Sequence, residues 1–144
     1  MPTPFESAQL ILTLYEQRRE ETLRKARDFY IGFSPTSFDD WKTAMIGPQS
    51  GYLRMVLTYW DMAASLVKNG AIDQTMFVEA NGEFIVVFGK VEPYIPQLRE
   101  AFGNPGFLAS LEWLALGIPD ARQRIDSTVK RVQAMVAARA AQSK

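Results

Sequence analysis

Glu79 and Glu83 are the pair in this sequence whose type and spacing could do chemistry. Four residues apart on one helix, two carboxylates share a face. Such a pair can hold Mg²⁺ or divide the roles of acid and base. The structural alternative weighs more. Both residues fall in the early turns after Asp73, where the helix dipole offsets negative charge. A divalent site also needs more protein oxygens than these two supply.

Asp61 is the second candidate, beside Trp60 in the most apolar stretch of the chain. Aspartate is seldom buried without a partner. Arg54 and Lys68 lie on the same helical line, one to either side of it. Asp61 could form the polar floor of a pocket walled by Trp60, Tyr59 and Met62. The simpler reading is a wet line, or one ion pair to another helix. The candidate ligand-binding residues are therefore Arg54, Trp60, Asp61, Glu79 and Glu83. Gly82 and Gly89, seven apart, would each weaken a helix by about 1 kcal/mol against alanine, which suggests close approach of another backbone or of a ligand, the structural accommodation being preferred.

The residue types that are missing narrow the chemistry further. The 144 residues include no histidine and no cysteine. That excludes Ser-His-Asp and Cys-His catalysis, histidine-ligated haem, thiolate zinc, Fe–S clusters and disulfides. No GxGxxG, P-loop, GxSxG or EF-hand pattern occurs. No catalytic residue, cofactor or metal is expected. Sixteen acids balance sixteen bases, evenly in both halves. Only residues 120–144 are biased, with Arg122, Arg124, Lys130, Arg131, Arg139 and Lys144 against Asp120 and Asp126. That helix carries no interleaved aromatic, so a nucleic-acid partner is not expected.

The elements that would position these residues are helices. Thr3-Pro4-Phe5-Glu6 has the form of a capping box with proline at the first helical position. Phe5, Ala8, Leu12 and Tyr15, continued by Thr22, Ala26 and Phe29, form its apolar stripe. The spacing predicts one helix to about Tyr30, on the order of 40 Å long. Glu20–Arg24 and Glu21–Lys25 would pair on its wet side. Ser37 opens a short second helix. The third, about Pro48 to Asn69, is apolar nearly all round. Its polar line is Gly51, Arg54, Thr58, Asp61, Ser65 and Lys68, as expected of the central helix of a bundle.

Gly70 is the expected C-terminal stop and Asp73 the next N-cap. From Thr75 to Phe88 two readings compete. Asn81-Gly82 is a hairpin signal, whereas Phe77, Ala80, Phe84, Val87 and Val91 keep helical spacing. The helix is preferred, broken or kinked near Lys90–Pro96. A short helix from Phe107 to Leu116 and a last one opened by Pro119 complete the chain, the latter fraying after Arg139.

The order of short words in the middle and C-terminal half resembles an uncharacterised bacterial family known only as a domain of unknown function. The words are Gly70-Ala71-Ile72-Asp73, Gly82-Glu83-Phe84-Ile85, Pro93-Tyr94-Ile95 with Leu98-Arg99, Gly103-Asn104-Pro105 and Glu112-Trp113-Leu114. The resemblance implies a small all-helical fold and the helical reading of residues 75–92, and it carries no activity. Some members look as if they have an N-terminal membrane helix, for which Leu10-Ile11-Leu12 is too short.

These observations lead to an all-α chain, residues 1–144 as a single helical domain. It would be an irregular bundle of five or six helices with a central third helix. The expected role is a non-catalytic interaction or structural module, cytoplasmic and without a membrane span. The expected assembly is a homodimer joined through Leu10, Ile11 and Leu14. The competing role is a small-molecule-binding protein or histidine-free enzyme with a carboxylate-lined pocket.

Overall fold

Thr3 opens the first helix as its spacing predicts. In the computed structural model, which describes residues 1–143, Glu6 N–H donates to Thr3 Oγ1 at 3.1 Å. Thr3 N–H donates back to Glu6 Oε1 at 3.0 Å, closing the capping box. The helix (α1, Pro4–Arg18) is shorter than expected, because the chain breaks before α2 (Glu21–Gly32). Glu20 leaves helical geometry at ψ 141°, and its carboxylate accepts from Leu23 N–H at 2.9 Å. An i,i+4 pair with Arg24 is worth a few tenths of a kcal/mol, whereas an N-cap is worth about 1. The cap prevails, and the turn lets Leu14 and Leu23 both face the core. Glu21–Lys25 does form, at 3.2 Å.

The stripe read on α1 is the opposite of the face that packs. Ser7, Ile11 and Leu14 are buried, whereas Phe5, Leu12 and Tyr15 are exposed. Two polar contacts set that orientation. Ser7 Oγ accepts from Asp73 N–H at 3.0 Å, and the Tyr59 hydroxyl donates to the Leu14 carbonyl. Ile11 and Leu14 therefore belong to this chain's own core and are not free to form a dimer surface; of the three residues proposed for it, only Leu10 is exposed.

Next come α3 (Phe38–Ile46), capped by Ser37, and α4 (Ser50–Lys68). The helix expected to be central is central, though fourth in chain order after the break at Glu20. It packs against α2 and α3 and against helices that follow it. Leu53, Val56, Leu57, Trp60, Ala63, Ala64 and Val67 fill its buried side, and its polar line stays at least partly exposed. Gly70 ends it at φ +82°, a conformation that glycine takes at no steric cost. Ala71 N–H then closes back onto the Leu66 carbonyl at 2.9 Å.

Residues 75–92 are helical, in two pieces. α5 (Gln74–Ala80) starts at the Asp73 cap, Asn81 is extended, and Gly82 begins α6 (Glu83–Val91). In one helix Phe77 and Phe84 would be about 10 Å apart along the axis. The break brings their rings to 5.8 Å, each 6.4 Å from Trp60. Glu79 and Glu83 consequently lie on different helices and share no face. Gly82 has open space around it, so no close approach explains it. Gly89 does sit at one: a Cβ there would lie 2.4 Å from Val129 Cγ2 and 3.1 Å from Ile125 Cγ2.

A 3-10 turn (Glu92–Tyr94) and α7 (Ile95–Phe102) accept Pro93 and Pro96 in their first positions, where no N–H is needed. α8 (Ala109–Leu116) packs on α4, and α9 (Ala121–Gln142) lies along α6 and does not fray at Arg139. The described residues thus form nine α-helices and no strand, more helices than the five or six expected. One contiguous core runs from Ile11 to Ile125. No helix among the described residues is long and apolar enough to cross a membrane.

Candidate functional site

Glu83, the first residue of α6, is the hub of a polar cluster on the edge of the core. Its Oε1 accepts from Arg27 Nε and Nη2 at 3.1 and 3.0 Å. Its Oε2 accepts from Arg27 Nε at 2.9 Å and from the Trp60 indole N–H at 3.0 Å. The hydrogen bonds from Arg27 to Glu83 raise the guanidinium above its ordinary pKa. Arg18 extends the cluster, its guanidinium 5.6 Å from the Trp60 ring and 5.1 Å from that of Tyr15. Trp60 itself is only 1% exposed. With both oxygens accepting from Arg27 and Trp60, this carboxylate is already engaged within the fold. Its chemistry here is to tie α2, α4 and α6 together.

The other candidates are each engaged elsewhere. Asp61 Oδ1 accepts from Leu111 N–H at 2.9 Å, in the first turn of α8. That helix has no side-chain cap of its own, since Leu108 holds the N-cap position at φ +59°. Asp61 is a cap supplied from α4. Arg54 Nη2 donates to the Met45 carbonyl at 3.1 Å, serving the end of α3. Glu79 is exposed on α5, in a shallow recess with Gln74, Thr75, Ile118 and Arg124. Trp60 and Glu83 are together, and Arg54, Asp61 and Glu79 stand apart from them and from one another. Among the described residues no group of three or more carboxylates gathers in a way that could hold a metal.

Lys90 went unnoticed in the sequence. It is buried on α6, and its ammonium donates to the carbonyls of Tyr30, Ile31 and Phe33 at 2.7, 2.7 and 2.5 Å. All three protons are used, and the charge sits at the C-terminus of α2, where a cation is favoured. The Ile31 carbonyl would otherwise face residue 35, a proline with no N–H. Burial pushes the ammonium down to about 8. Beside it the buried Tyr30 hydroxyl donates to the Val87 carbonyl at 2.6 Å, and burial pushes that phenol well up. A lysine inside the apolar run Phe84–Val91 was the available signal.

The open surface offers grooves. One of about 660 Å³ lies between α2 and the far half of α9. A second, about 460 Å³, lies between the start of α6 and the near half of α9, and Glu83 borders both. A third, about 600 Å³, opens where α1 turns into α2 and shows Met55 and Met62. On α1 the outward stripe is apolar: Phe5 is 70%, Leu12 63% and Tyr15 47% exposed.

Neither a curated protein nor a solved structure matches the chain. One family model does, that of a "Domain of unknown function (DUF4760)", over residues 4–118, from the start of α1 to the turn before α9. This stretch is well over half of the sequence and holds every candidate residue named above, and the chain belongs to the DUF4760 family.

Proposed function

We propose that this chain is a single-domain, non-catalytic interaction module that self-associates through the outer face of α1. The observation that carries the reading is the stripe of Phe5, Leu12 and Tyr15. At 100° per residue these side chains fall within about 80° of one another, and Phe5 and Leu12 lie about 160° or more from buried Leu14. A helix apolar on both sides, with one side already packed, has a face left for a partner. Two-fold pairing is the commonest arrangement for such a face. The dispersal of Arg54, Asp61 and Glu79 into separate structural settings supports a binding role over a catalytic one.

Sedimentation equilibrium of the wild type and of a Phe5→Glu, Leu12→Glu double variant tests the reading. Both residues are exposed, so the variant should fold. A dimeric wild type and a folded, monomeric variant are expected. A monomeric wild type would refute self-association. The proposal places the protein in the cytoplasm, and recovery in the membrane pellet of lysed cells would contradict that.

A further inference from the structure

The two grooves along α9 form one positively charged trough. Arg124, Thr128, Arg131, Met135 and Arg139 recur at spacings of three and four, so they share one face of α9. The first three border the groove against α6, and the last two border the groove against α2. Glu83 touches both, which makes the grooves neighbours end to end. From Arg124 to Arg139 the helix rises about 22 Å.

The charged side chains that line the trough are six bases against three acids, a net positive field. Glu83 is neutralised by Arg27 and Glu21 by Lys25. The acid left in the trough is Asp28. Against it stand Arg24, Arg131 and Arg139, none with a carboxylate partner among the described residues. Arg124 is also without one, though it borders the recess that holds Glu79. On the other side of the same helix Arg122 is paired twice, with Glu92 at 2.6 Å and Asp126 at 2.9 Å. On α9 the arginines turned to the trough are the ones left uncompensated.

The floor is aliphatic. Ile31, Ile85, Val86, Val132 and Met135 line it, and no aromatic side chain does. Nucleic acid is a poor match, because binding single strands uses aromatic platforms for the bases. A second copy docking its own α1 is also a poor match, since Arg18 and Arg19 sit beside that apolar stripe and would meet like charge. We propose that the trough between α9, α2 and the start of α6 docks an acidic, amphipathic peptide segment of a partner protein. Its carboxylates would meet Arg24, Arg131 and Arg139, and its apolar side chains would lie on Val132 and Met135. The surface is distinct from the outer face of α1, so the inference holds whether or not the chain self-associates.

Fluorescence anisotropy with a labelled synthetic peptide of glutamates and leucines at helical spacing, about 14 residues and so about 21 Å as a helix, is the test. The full chain should bind it, and affinity should fall as salt rises. An Arg131→Glu, Arg139→Glu double variant should bind about tenfold more weakly or worse. Lys130→Glu, on the far side of α9, should change binding little. Circular dichroism of each variant should match the wild type, as all three residues are exposed. Absence of binding overturns the proposal, as does binding that the arginine variant leaves intact. Equal affinity for an all-glutamate peptide of the same charge overturns the aliphatic floor. Tighter binding of an oligothymidylate through the same arginines makes the trough a nucleic-acid site and overturns the peptide. Loss of a dimer in the arginine variant makes the occupant a second copy and does the same.

Discussion

Replacing Lys90 by methionine keeps the stem and removes three donors from the end of α2. The Tyr30 carbonyl still accepts from Phe33 N–H at 3.2 Å, so two carbonyls, those of Ile31 and Phe33, are orphaned. Together they cost about 2–4 kcal/mol. Against that, the wild type holds its ammonium at a pKa of about 8 instead of 10.5. Keeping the charge in the fold at pH 7 therefore costs about 3 kcal/mol, which methionine relieves. The two effects nearly cancel, and the deficit at pH 7 is small, about 1 kcal/mol or less. It should not stay small. Between the folded pKa and 10.5 the unfolded chain binds more protons at Lys90 than the folded chain, so wild-type stability rises with pH. By pH 9.5 that rise is about 2 kcal/mol, and Lys90→Met lacks it. Urea melts at pH 7 and 9.5, followed by far-UV circular dichroism, read the difference directly. A deficit that stays flat or shrinks over this range would refute the account. Above about pH 10 stability falls with rising pH in both proteins. There Tyr30, and Tyr59 at about 12, hold protons that the unfolded chain has lost.

Three further substitutions have expected outcomes. Gly89→Ala should destabilise by about 1–3 kcal/mol in thermal or urea melts. The usual gain of alanine in a helix is outweighed because its Cβ would meet Val129 Cγ2 at 2.4 Å; a more stable variant would mean that α9 does not press on α6. Asp61→Ala should cost about 1 kcal/mol, as loss of an N-cap does, with hydrogen exchange rising at Leu111 and its neighbours in α8; unchanged exchange there would remove the cap. Trp60→Ala should cost about 3–5 kcal/mol in urea melts, and a loss under about 1 would be incompatible with a side chain only 1% exposed.

What the sequence made legible was local. Thr3, Ser37 and Asp73 cap the helices expected of them, because a cap is a contact between residues three apart. The polar line of α4 could be read because that helix is apolar everywhere else. α1 could not be read this way, since it carries apolar residues on both sides and hydrophobicity does not say which side packs. Its true marker was Ser7, a small polar residue that bonds Asp73, far along the chain. The breaks at Glu20 and at Asn81-Gly82 were missed for a related reason. Continuous helical spacing is compatible with a bend when the bend improves packing, as it does for Phe77 and Phe84. Asp61 and Glu83 were visible as residues out of place. Their partners, Leu111 and Arg27, are 50 and 56 residues away, and no spacing rule reaches that far.

Three polar ties join α2 to α6: Arg27 to Glu83, Tyr30 to Val87, and Lys90 to the carbonyls of Tyr30, Ile31 and Phe33. Residue numbers rise together across them, so the two helices run parallel, and the ties close loops of 56 to 60 residues. Loops of that size are entropically expensive to close before the hydrophobic contacts of α4 have formed. These ties should therefore be absent from the folding transition state and form on its downhill side. Weakening any of them should speed unfolding and leave the refolding rate nearly unchanged. In that sense the lacing between α2 and α6 acts as a latch on the lifetime of the folded chain: it sets how long the structure persists and has little influence on how quickly it is found.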